Sequence, residues 1–385
     1  MSIDLTNLNI NKIRSAFKAG DFSSEELVKA YLQRVKDDDT NSFISINDLV
    51  IEQARRADKI LSQGKASPLT GIPLAVKDLI LVEGLRATAA SKILENYIAS
   101  YSATAVKRLV EAGMIVLGKT NCDEFAMGSS NENSAFGPVL NPHDKTRVPG
   151  GSSGGSAAAI AAYLAPTALG TDTGGSIRQP AAFCGVVGLK PTYGRVSRYG
   201  SIAMASSLDQ IGPMANTVKD VAYLLQFMAG FDVLDATSIK TAVPDYVAKL
   251  EDNVKNLRLG LPKEYFSDQI DDEVRSAIDD QIDNLKKEGF TIKEVSLPYT
   301  DYALAAYYLL MPAEVSSNLA RYDGLLYGLK SDKDLSLDKW YKTVRSRGFG
   351  AESKRRIILG TYVLSAGYYD AYYKQAQKVR TLIKN

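Results

Sequence analysis

The chain has 385 residues, 45% hydrophobic and 23% charged, which is long enough for one large or two ordinary domains with full apolar cores. A formal net charge of +2 disfavours nucleic acid or a membrane surface as the main partner. The two cysteines are too few for a disulfide framework or a thiolate zinc site. The N-terminus lacks a leader pattern and no apolar run reaches membrane-spanning length, so we expect a cytoplasmic protein without metal.

Helix and strand signals alternate along the chain. Ser23 and Glu26 form a capping box at the start of one helix, and glycines close several later ones. Further helices are predicted over 103–112, 156–163, 217–229, 271–288 and 368–384, and strands over 114–117, 166–170, 186–189, 257–261 and 291–295. This alternation predicts an α/β fold with a mostly buried sheet.

Two glycine loops that carry serines are the most informative motifs. Residues 149–156 read PGGSSGGS, and residues 172–176 read DTGGS. Glycines allow backbone amides to approach a ligand closely, and amides at a helix start can hold a developing oxyanion. The same sequences are also compatible with flexible turns. Phosphate binding is disfavoured, because the first loop continues into Ala157 instead of Lys followed by Ser or Thr.

A serine nucleophile needs a base, and His143 is the only histidine. This scarcity favours a lysine base. Lys77 ends an apolar strand that follows a Gly/Pro turn over residues 71–73. Such a lysine often extends to solvent, but enclosure would lower its pKa and make the neutral amine available. Lys77, Ser152 and Ser176 therefore make a Ser–Ser–Lys relay chemically reasonable.

The motifs at residues 71–78, 149–156 and 170–181 resemble those of the amidase signature family. Stretches over 123–130, 190–200, 205–213, 314–324 and 367–373 are similar to the A subunits of glutamyl-tRNA(Gln) amidotransferases. The resemblance covers essentially the whole chain. It implies an α/β fold with a single large domain, whose mixed central sheet is covered by helices on both faces. Within it we expect a helical N-terminal region (1–65), a catalytic signature core (66–215) and a remaining α/β and helical part (216–385).

The resemblance also implies catalytic roles. Ser176 would be the nucleophile that forms a γ-glutamyl ester with glutamine. Ser152, after a cis peptide bond, would relay the proton between Ser176 and Lys77. The oxyanion hole would be formed by the backbone amide of Ser176 together with those of Thr173, Gly174 and Gly175.

Four other residues would support the nucleophile loop or bind the substrate. Asp172 and Arg178 would brace the nucleophile loop. Tyr307 and Arg356 match positions that recognise the charged backbone groups of glutamine, and the planar fork of Arg356 suits the α-carboxylate. Each has an alternative role, Tyr307 as a core aromatic residue and Arg356 as a charge on a helix surface.

The resemblance further implies a heterotrimer with amidotransferase subunits B and C. Ammonia would pass to a partner subunit that holds the tRNA, ATP and Mg²⁺ and amidates Glu-tRNA(Gln), often also Asp-tRNA(Asn). No cofactor is expected in this chain. Two alternatives stay open: a free-standing amidase that acts on another amide, and a catalytically inactive, truncated scaffold.

The scaffold alternative arises because family members continue beyond the helix predicted over 368–384, through core strands and an acidic residue for the glutamine α-amino group. We therefore expect these 385 residues alone to bind glutamine poorly and to be marginally stable.

Overall fold

The computed structural model describes residues 3–331 and 334–385, which form two compact units. The first unit comprises Met1–Val247 and Glu314–Leu359, and the second comprises Ala248–Ala313 and Gly360–Asn385. The strands are β1 (Phe43–Ile46), β2 (Pro73–Lys77), β3 (Ile115–Thr120), β4 (Thr167–Asp172), β5 (Val187–Gly188), β6 (Gln210–Ala215), β7 (Arg258–Pro262) and β8 (Thr291–Val295). The helices are α1 (Ile10–Ala19), α2 (Ser24–Lys36), α3 (Val50–Ser62), α4 (Thr104–Glu111), α5 (Gly154–Ala161), α6 (Arg178–Phe183), α7 (Val218–Met228), α8 (Asp272–Lys287), α9 (Thr300–Asn318), α10 (Leu337–Gly348), α11 (Ala351–Val363) and α12 (Lys374–Lys384).

The first unit is built on a six-stranded mixed sheet with the order β1-β3-β2-β4-β6-β5. The three central strands β3, β2 and β4 are parallel, whereas β1, β6 and β5 pair antiparallel with their neighbours. Every residue of these central strands is buried, as is typical of parallel strands that carry helices on both faces. The mixed sheet with its helices confirms the predicted α/β class.

The helices of this unit begin and end as the sequence indicates. Ser23 and Glu26 form the predicted capping box at the start of α2. Helix α4 ends just before Gly113, whose φ of +94° is a left-handed conformation that favours glycine. Helix α7 begins at the capping residue Thr217, and its buried face packs into the same apolar core as β2 and β3.

The parallel strands bring chemically important residues to one edge of the sheet. Strand β2 ends at Lys77, β3 ends at Thr120, and β4 ends at Asp172. The carboxyl ends of parallel strands meet at the same edge, where ligands bind in open α/β sheets. The antiparallel strand β6 starts at this edge, because Gln210 pairs with Asp172.

The second unit contains the parallel pair β7 and β8 with α8 between them in sequence, as predicted. Helix α8 has no buried residue, β7 is exposed or partly buried throughout, and β8 is mostly exposed. Among the described residues of this unit, Ala306, Leu310 and Ala376 form a buried apolar cluster. The helix predicted over 368–384 is interrupted, since a π-helical turn at Tyr369–Tyr373 precedes α12.

Among the described residues, no helix combines the length and the apolar composition needed to cross a membrane. The N-terminal region over 1–65 contains α1 to α3 and also contributes β1 to the sheet.

Candidate active site

Lys77 is completely buried at the end of β2 and points into a group of hydroxyls. Its Nζ donates hydrogen bonds to Ser152 Oγ at 2.7 Å, Ser153 Oγ at 2.9 Å and Thr171 Oγ1 at 2.8 Å. The structure thus brings together two residues of the predicted relay, Lys77 and Ser152, and it excludes the alternative in which Lys77 extends to solvent.

Burial lowers the pKa of Lys77 to about 8, because the charged form loses its hydration inside the protein. The surrounding Cys122, Asp123, Asp172 and Asp209 act in the opposite direction and raise this pKa. A lysine with a pKa near 8 is neutral in roughly a tenth of the molecules at pH 7, a far larger fraction than for an exposed lysine, and the neutral amine is the form that a general base requires.

Ser152 lies in the loop before α5, and a cis peptide bond joins it to Gly151, as expected. A Cβ atom on Gly151 would lie 2.1 Å from Asp123 Oδ2, so no larger residue fits there without a rearrangement. The buried Asp123 carboxylate also accepts the amides of Asn131 at 3.0 Å and Asn133 at 3.3 Å. Asp123 therefore holds Asn131 and Asn133 in place next to the Ser152 loop.

The backbone of Ser176 lies beside the Ser152 loop, because the amide of Ser153 donates a hydrogen bond to the Ser176 carbonyl at 3.1 Å. The buried Asp172 holds the Ser176 loop from inside. Its carboxylate accepts the amide of Ile177 at 3.1 Å and the Nε of Arg178 at 3.0 Å. Burial acts to raise the pKa of Asp172, but these donors and the Arg178 charge outweigh it and hold the pKa below its usual value. Both residues brace the loop, as expected.

The Gly175 amide, which was expected to be an oxyanion donor, is hydrogen-bonded within the loop. The φ of +125° at Gly175 is open only to glycine, and the amide donates to Asp172 Oδ1 at 2.7 Å. One N–H group makes one strong hydrogen bond, so this amide is committed to the loop instead of a substrate oxygen. Gly174, the neighbouring residue, is exposed at the tip of the loop.

Thr173 begins the loop, and its hydroxyl donates to Asp209 Oδ1 at 2.6 Å. The Asp209 carboxylate also accepts the amides of Met204 at 2.9 Å and Ala205 at 3.1 Å. Burial raises the pKa of Asp209 to about 6 despite these donors.

The two residues predicted to bind glutamine lie in different units. Arg356, on α11 in the first unit, is partly buried and donates from Nε to Glu352 at 2.7 Å. Tyr307 lies on α9 in the second unit, where its ring makes an edge contact with the ring of Tyr308, the two centroids being 5.4 Å apart. Their roles toward a substrate stay predictions.

Helix α11 is anchored at its start by a buried carboxylate. Glu124 accepts the amide of Gly350 at 2.9 Å and the hydroxyls of Ser353 and Ser91. Burial raises the pKa of Glu124, and the hydrogen bonds oppose that shift. A carboxylate at this place is favoured by the positive end of the helix dipole, and it sets the direction of the helix that carries Arg356.

His143 lies outside this arrangement. Its Nε2 is 2.9 Å from the Cys184 carbonyl, which can only accept, so this nitrogen carries the proton. Its backbone amide donates to Asn141 Oδ1 at 3.0 Å. Both contacts indicate a structural residue.

Sequence reasoning missed several contacts of the site. Ser153 and Thr171 share the Lys77 amine, and Asp209 holds Thr173. Asp209 could have been found from strand pairing, because it precedes β6 directly opposite the residue that follows β4. Ser153 and Thr171 gave no comparable signal, since a hydroxyl near a lysine has no characteristic spacing.

Known proteins share this architecture. A family model described as Amidase matches residues 26–385. The chain is 56% identical, over 98% of its length and 78% of the relative's, to the A subunit of glutamyl-tRNA(Gln) amidotransferase from Coxiella burnetii (strain RSA 493 / Nine Mile phase I). The corresponding protein of Koribacter versatilis (strain Ellin345) is 54% identical over 99% of this chain and 80% of that protein.

Solved structures agree with these relatives. The crystal structure of the glutamyl-tRNA(Gln) amidotransferase A subunit from Thermotoga maritima superposes with a TM-score of 0.80 at 41% identity, covering 100% of this chain and 76% of that one. The native peptide amidase from Stenotrophomonas maltophilia superposes with a TM-score of 0.82 at 32% identity, covering 97% of this chain and 78% of that one. The chain therefore belongs to the amidase family.

Proposed function

We propose that this chain is the glutaminase subunit of a tRNA-dependent amidotransferase and that Lys77, Ser152 and Ser176 form its catalytic triad. The observation that carries the mechanism is the buried Lys77 amine, 2.7 Å from Ser152 Oγ and with a lowered pKa. The substrate assignment is supported by relatives at 54–56% identity whose name is that of the glutamyl-tRNA(Gln) amidotransferase A subunit.

In the first step, Ser176 Oγ attacks the side-chain amide carbon of glutamine. The Ser176 proton passes to Ser152 Oγ, and the Ser152 proton passes to the neutral Lys77 amine. The amide oxygen becomes an oxyanion, for which the backbone N–H groups of Thr173, Gly174 and Ser176 are the proposed donors. Gly175 would support this hole through its left-handed backbone and its bond to Asp172.

In the second step, the relay returns the proton to the leaving nitrogen, the carbon–nitrogen bond breaks, and ammonia departs. A γ-glutamyl ester remains on Ser176. Water then attacks the ester carbon while Ser152 and Lys77 take its proton. The bond between this carbon and Ser176 Oγ breaks, the relay returns a proton to Ser176 Oγ, and glutamate is released. Arg356 would bind the α-carboxylate of glutamine through a bidentate contact, and Tyr307 would contact its backbone groups.

The ammonia would pass to partner subunits B and C of a heterotrimer. There, ATP with Mg²⁺ would activate Glu-tRNA(Gln), and Asp-tRNA(Asn) as a second substrate, for amidation. The cytoplasm, where aminoacyl-tRNA is used, would be the site of this reaction. The near-neutral charge of this chain fits a division in which the partner holds most of the tRNA.

A free-standing amidase is the second candidate, because the peptide amidase from Stenotrophomonas maltophilia superposes with a TM-score of 0.82. The two are separated by assaying the chain with glutamine and with C-terminally amidated peptides, each with and without purified subunits B and C. Glutamine turnover that rises with the partners supports the proposal. Peptide amide turnover that is indifferent to the partners would replace it, and no turnover in any combination would favour an inactive scaffold.

A further inference from the structure

The nucleophile loop is held at both ends by buried carboxylates. At one end Asp172 accepts the amides of Gly175 and Ile177. At the other end Thr173, the first residue of the loop, donates its hydroxyl to Asp209. Asp209 itself lies in a different strand connection, so the second anchor joins two segments that are distant in sequence.

The position of this second anchor follows from strand pairing. Strands β4 and β6 are antiparallel and their last paired residues are Asp172 and Gln210. Thr173 follows the first strand and Asp209 precedes the second, so the two face each other one position beyond the sheet. Side chains opposite each other at such a place are close enough for a direct hydrogen bond, and the observed distance is 2.6 Å.

Each carboxylate oxygen of Asp209 accepts two hydrogen bonds. One oxygen accepts the Thr173 hydroxyl and the Ala205 amide, and the other accepts the amides of Met204 and Ala205. The segment over 204–207 is fixed from its other side, where Asn318 donates to the Met204 carbonyl at 3.1 Å and Ser207 donates its amide to Glu314 at 2.9 Å. Asp209 therefore joins Thr173 to a segment of the first unit that is hydrogen-bonded from both sides.

We propose that Asp209 is a positioning residue for the oxyanion hole: its carboxylate holds the Thr173 side chain and thereby aims the Thr173 amide at the substrate oxygen. This inference rests on the proposed function, in which the Thr173 amide is an oxyanion donor. The anchored hydroxyl and the amide belong to one residue, so fixing the side chain restricts rotation of the backbone that carries the N–H. Donors are effective only when their direction is fixed before the charge develops.

A purely structural role for Asp209 makes different predictions. If Asp209 only held residues 204–207 in place, its loss would lower the melting temperature, and Thr173 variants would have no effect on catalysis. If it acts through Thr173, removing either side of the hydrogen bond should lower kcat by a similar factor and leave KM almost unchanged, because the oxyanion exists only in the transition state.

The test uses the full chain and four variants: Asp209→Ala, Thr173→Val, Thr173→Ser and the Asp209→Ala/Thr173→Val double variant. Asp220→Ala is the matched control, because Asp220 is also buried and accepts a backbone amide, that of Ile10. Glutamine kinetics are measured beside the rate at which a fluorophosphonate labels Ser176. In that reaction the serine oxygen bonds to phosphorus, fluoride leaves, the proton goes to the base, and the phosphoryl oxygen occupies the oxyanion hole.

We expect Asp209→Ala and Thr173→Val, each of which removes one partner of the hydrogen bond, to lower kcat and the labelling rate about 100-fold, the cost of a small misplacement of a catalytic group. Thr173→Ser, which keeps the hydroxyl, should stay near the wild-type rate, and the double variant should be no slower than either single one. Thr173→Val leaves the hydrogen bonds from the Met204 and Ala205 amides to Asp209 in place, so its kinetics test the inference even if Asp209→Ala does not fold.

Wild-type kinetics for Thr173→Val, or losses that multiply in the double variant, would overturn the inference. A wild-type chain that is labelled but does not hydrolyse glutamine would refute only the proposed substrate, because the labelling rates still test Asp209. A wild-type chain that is not labelled at all would refute both.

Discussion

Lys77 and Lys119 are both fully buried on the neighbouring strands β2 and β3, but only Lys119 lies against a carboxylate. Its Nζ is 3.2 Å from Asp78 Oδ1, whereas the Nζ of Lys77 donates to three hydroxyls. Burial lowers the pKa of both lysines, and for Lys119 the attraction of Asp78 opposes the shift. Lys119 therefore forms an ion pair with Asp78, whereas Lys77 has no adjacent carboxylate among the described residues to stabilise its charged form and loses its proton more easily.

The first prediction concerns pH. With a pKa of about 8, Lys77 is mostly protonated at lower pH, and its neutral fraction rises as the pH increases. The kcat/KM for glutamine should therefore rise about tenfold per pH unit below pH 8 and level off above it. Initial rates between about pH 6 and pH 9 measure this profile. A flat profile over that range would rule out Lys77 as the base.

The second prediction concerns the identity of the base. Lys77→Ala should lower the glutaminase rate by orders of magnitude, and Lys77→Arg should not restore it, because a guanidinium stays protonated. The control is His143→Ala, since the hydrogen bonds of His143 go to Asn141 and the Cys184 carbonyl, away from the lysine. If the histidine variant lost as much activity as Lys77→Ala, the Ser–Ser–Lys assignment would be wrong.

The third prediction separates ammonia production from amidation. Ser176→Ala should abolish glutamine hydrolysis, because the attacking oxygen is gone. The complex assembled with subunits B and C should still amidate Glu-tRNA(Gln) when ammonia is supplied. Both reactions are measured on the same preparation. Loss of the ammonia-driven reaction as well would indicate that Ser176 has a structural role.

The fourth prediction concerns substrate binding through α11. Glu124 accepts the Gly350 amide at the start of the helix that carries Arg356. Glu124→Ala and Arg356→Lys should therefore both raise the KM for glutamine, with a smaller change in kcat, since the lysine ammonium cannot reproduce the bidentate contact. Glu52→Ala, on the exposed surface of α3, is the control. Unchanged KM values would show that α11 does not bind the substrate.

The fifth prediction concerns stability. Lys119→Met leaves the buried Asp78 carboxylate without its cation and should lower the free energy of unfolding of the first unit by about 3–5 kcal/mol. The Lys119→Met/Asp78→Asn double variant should recover part of this loss, because no unpaired charge remains. Urea denaturation followed by circular dichroism measures both. Equal stability of the single variant and the wild type would refute this account of the pair.

Local sequence signals determined a large part of the fold. The apolar strand before Lys77 corresponds to β2, and the strands predicted over 114–117, 166–170, 186–189, 257–261 and 291–295 correspond to β3, β4, β5, β7 and β8. The capping box marked the start of α2. The boundaries differ from the structure by a few residues, because helix and strand ends depend on tertiary contacts. The interruption before α12 at Tyr369–Tyr373 had no sequence signal, since the residues there continue a helical pattern.

The site divides in the same way. The sequence by itself determined the residue types: glycines that permit a close backbone approach, two serines, and Lys77 at the end of an apolar strand in a chain with one histidine. Only the tertiary structure decided their environment. Whether Lys77 is enclosed, whether the Gly175 amide turns to Asp172, and whether Asp209 faces Thr173 all depend on strand order and register. Burial and pairing between distant segments set the pKa of a group and the direction of a donor, and neither is encoded in any local stretch of the chain.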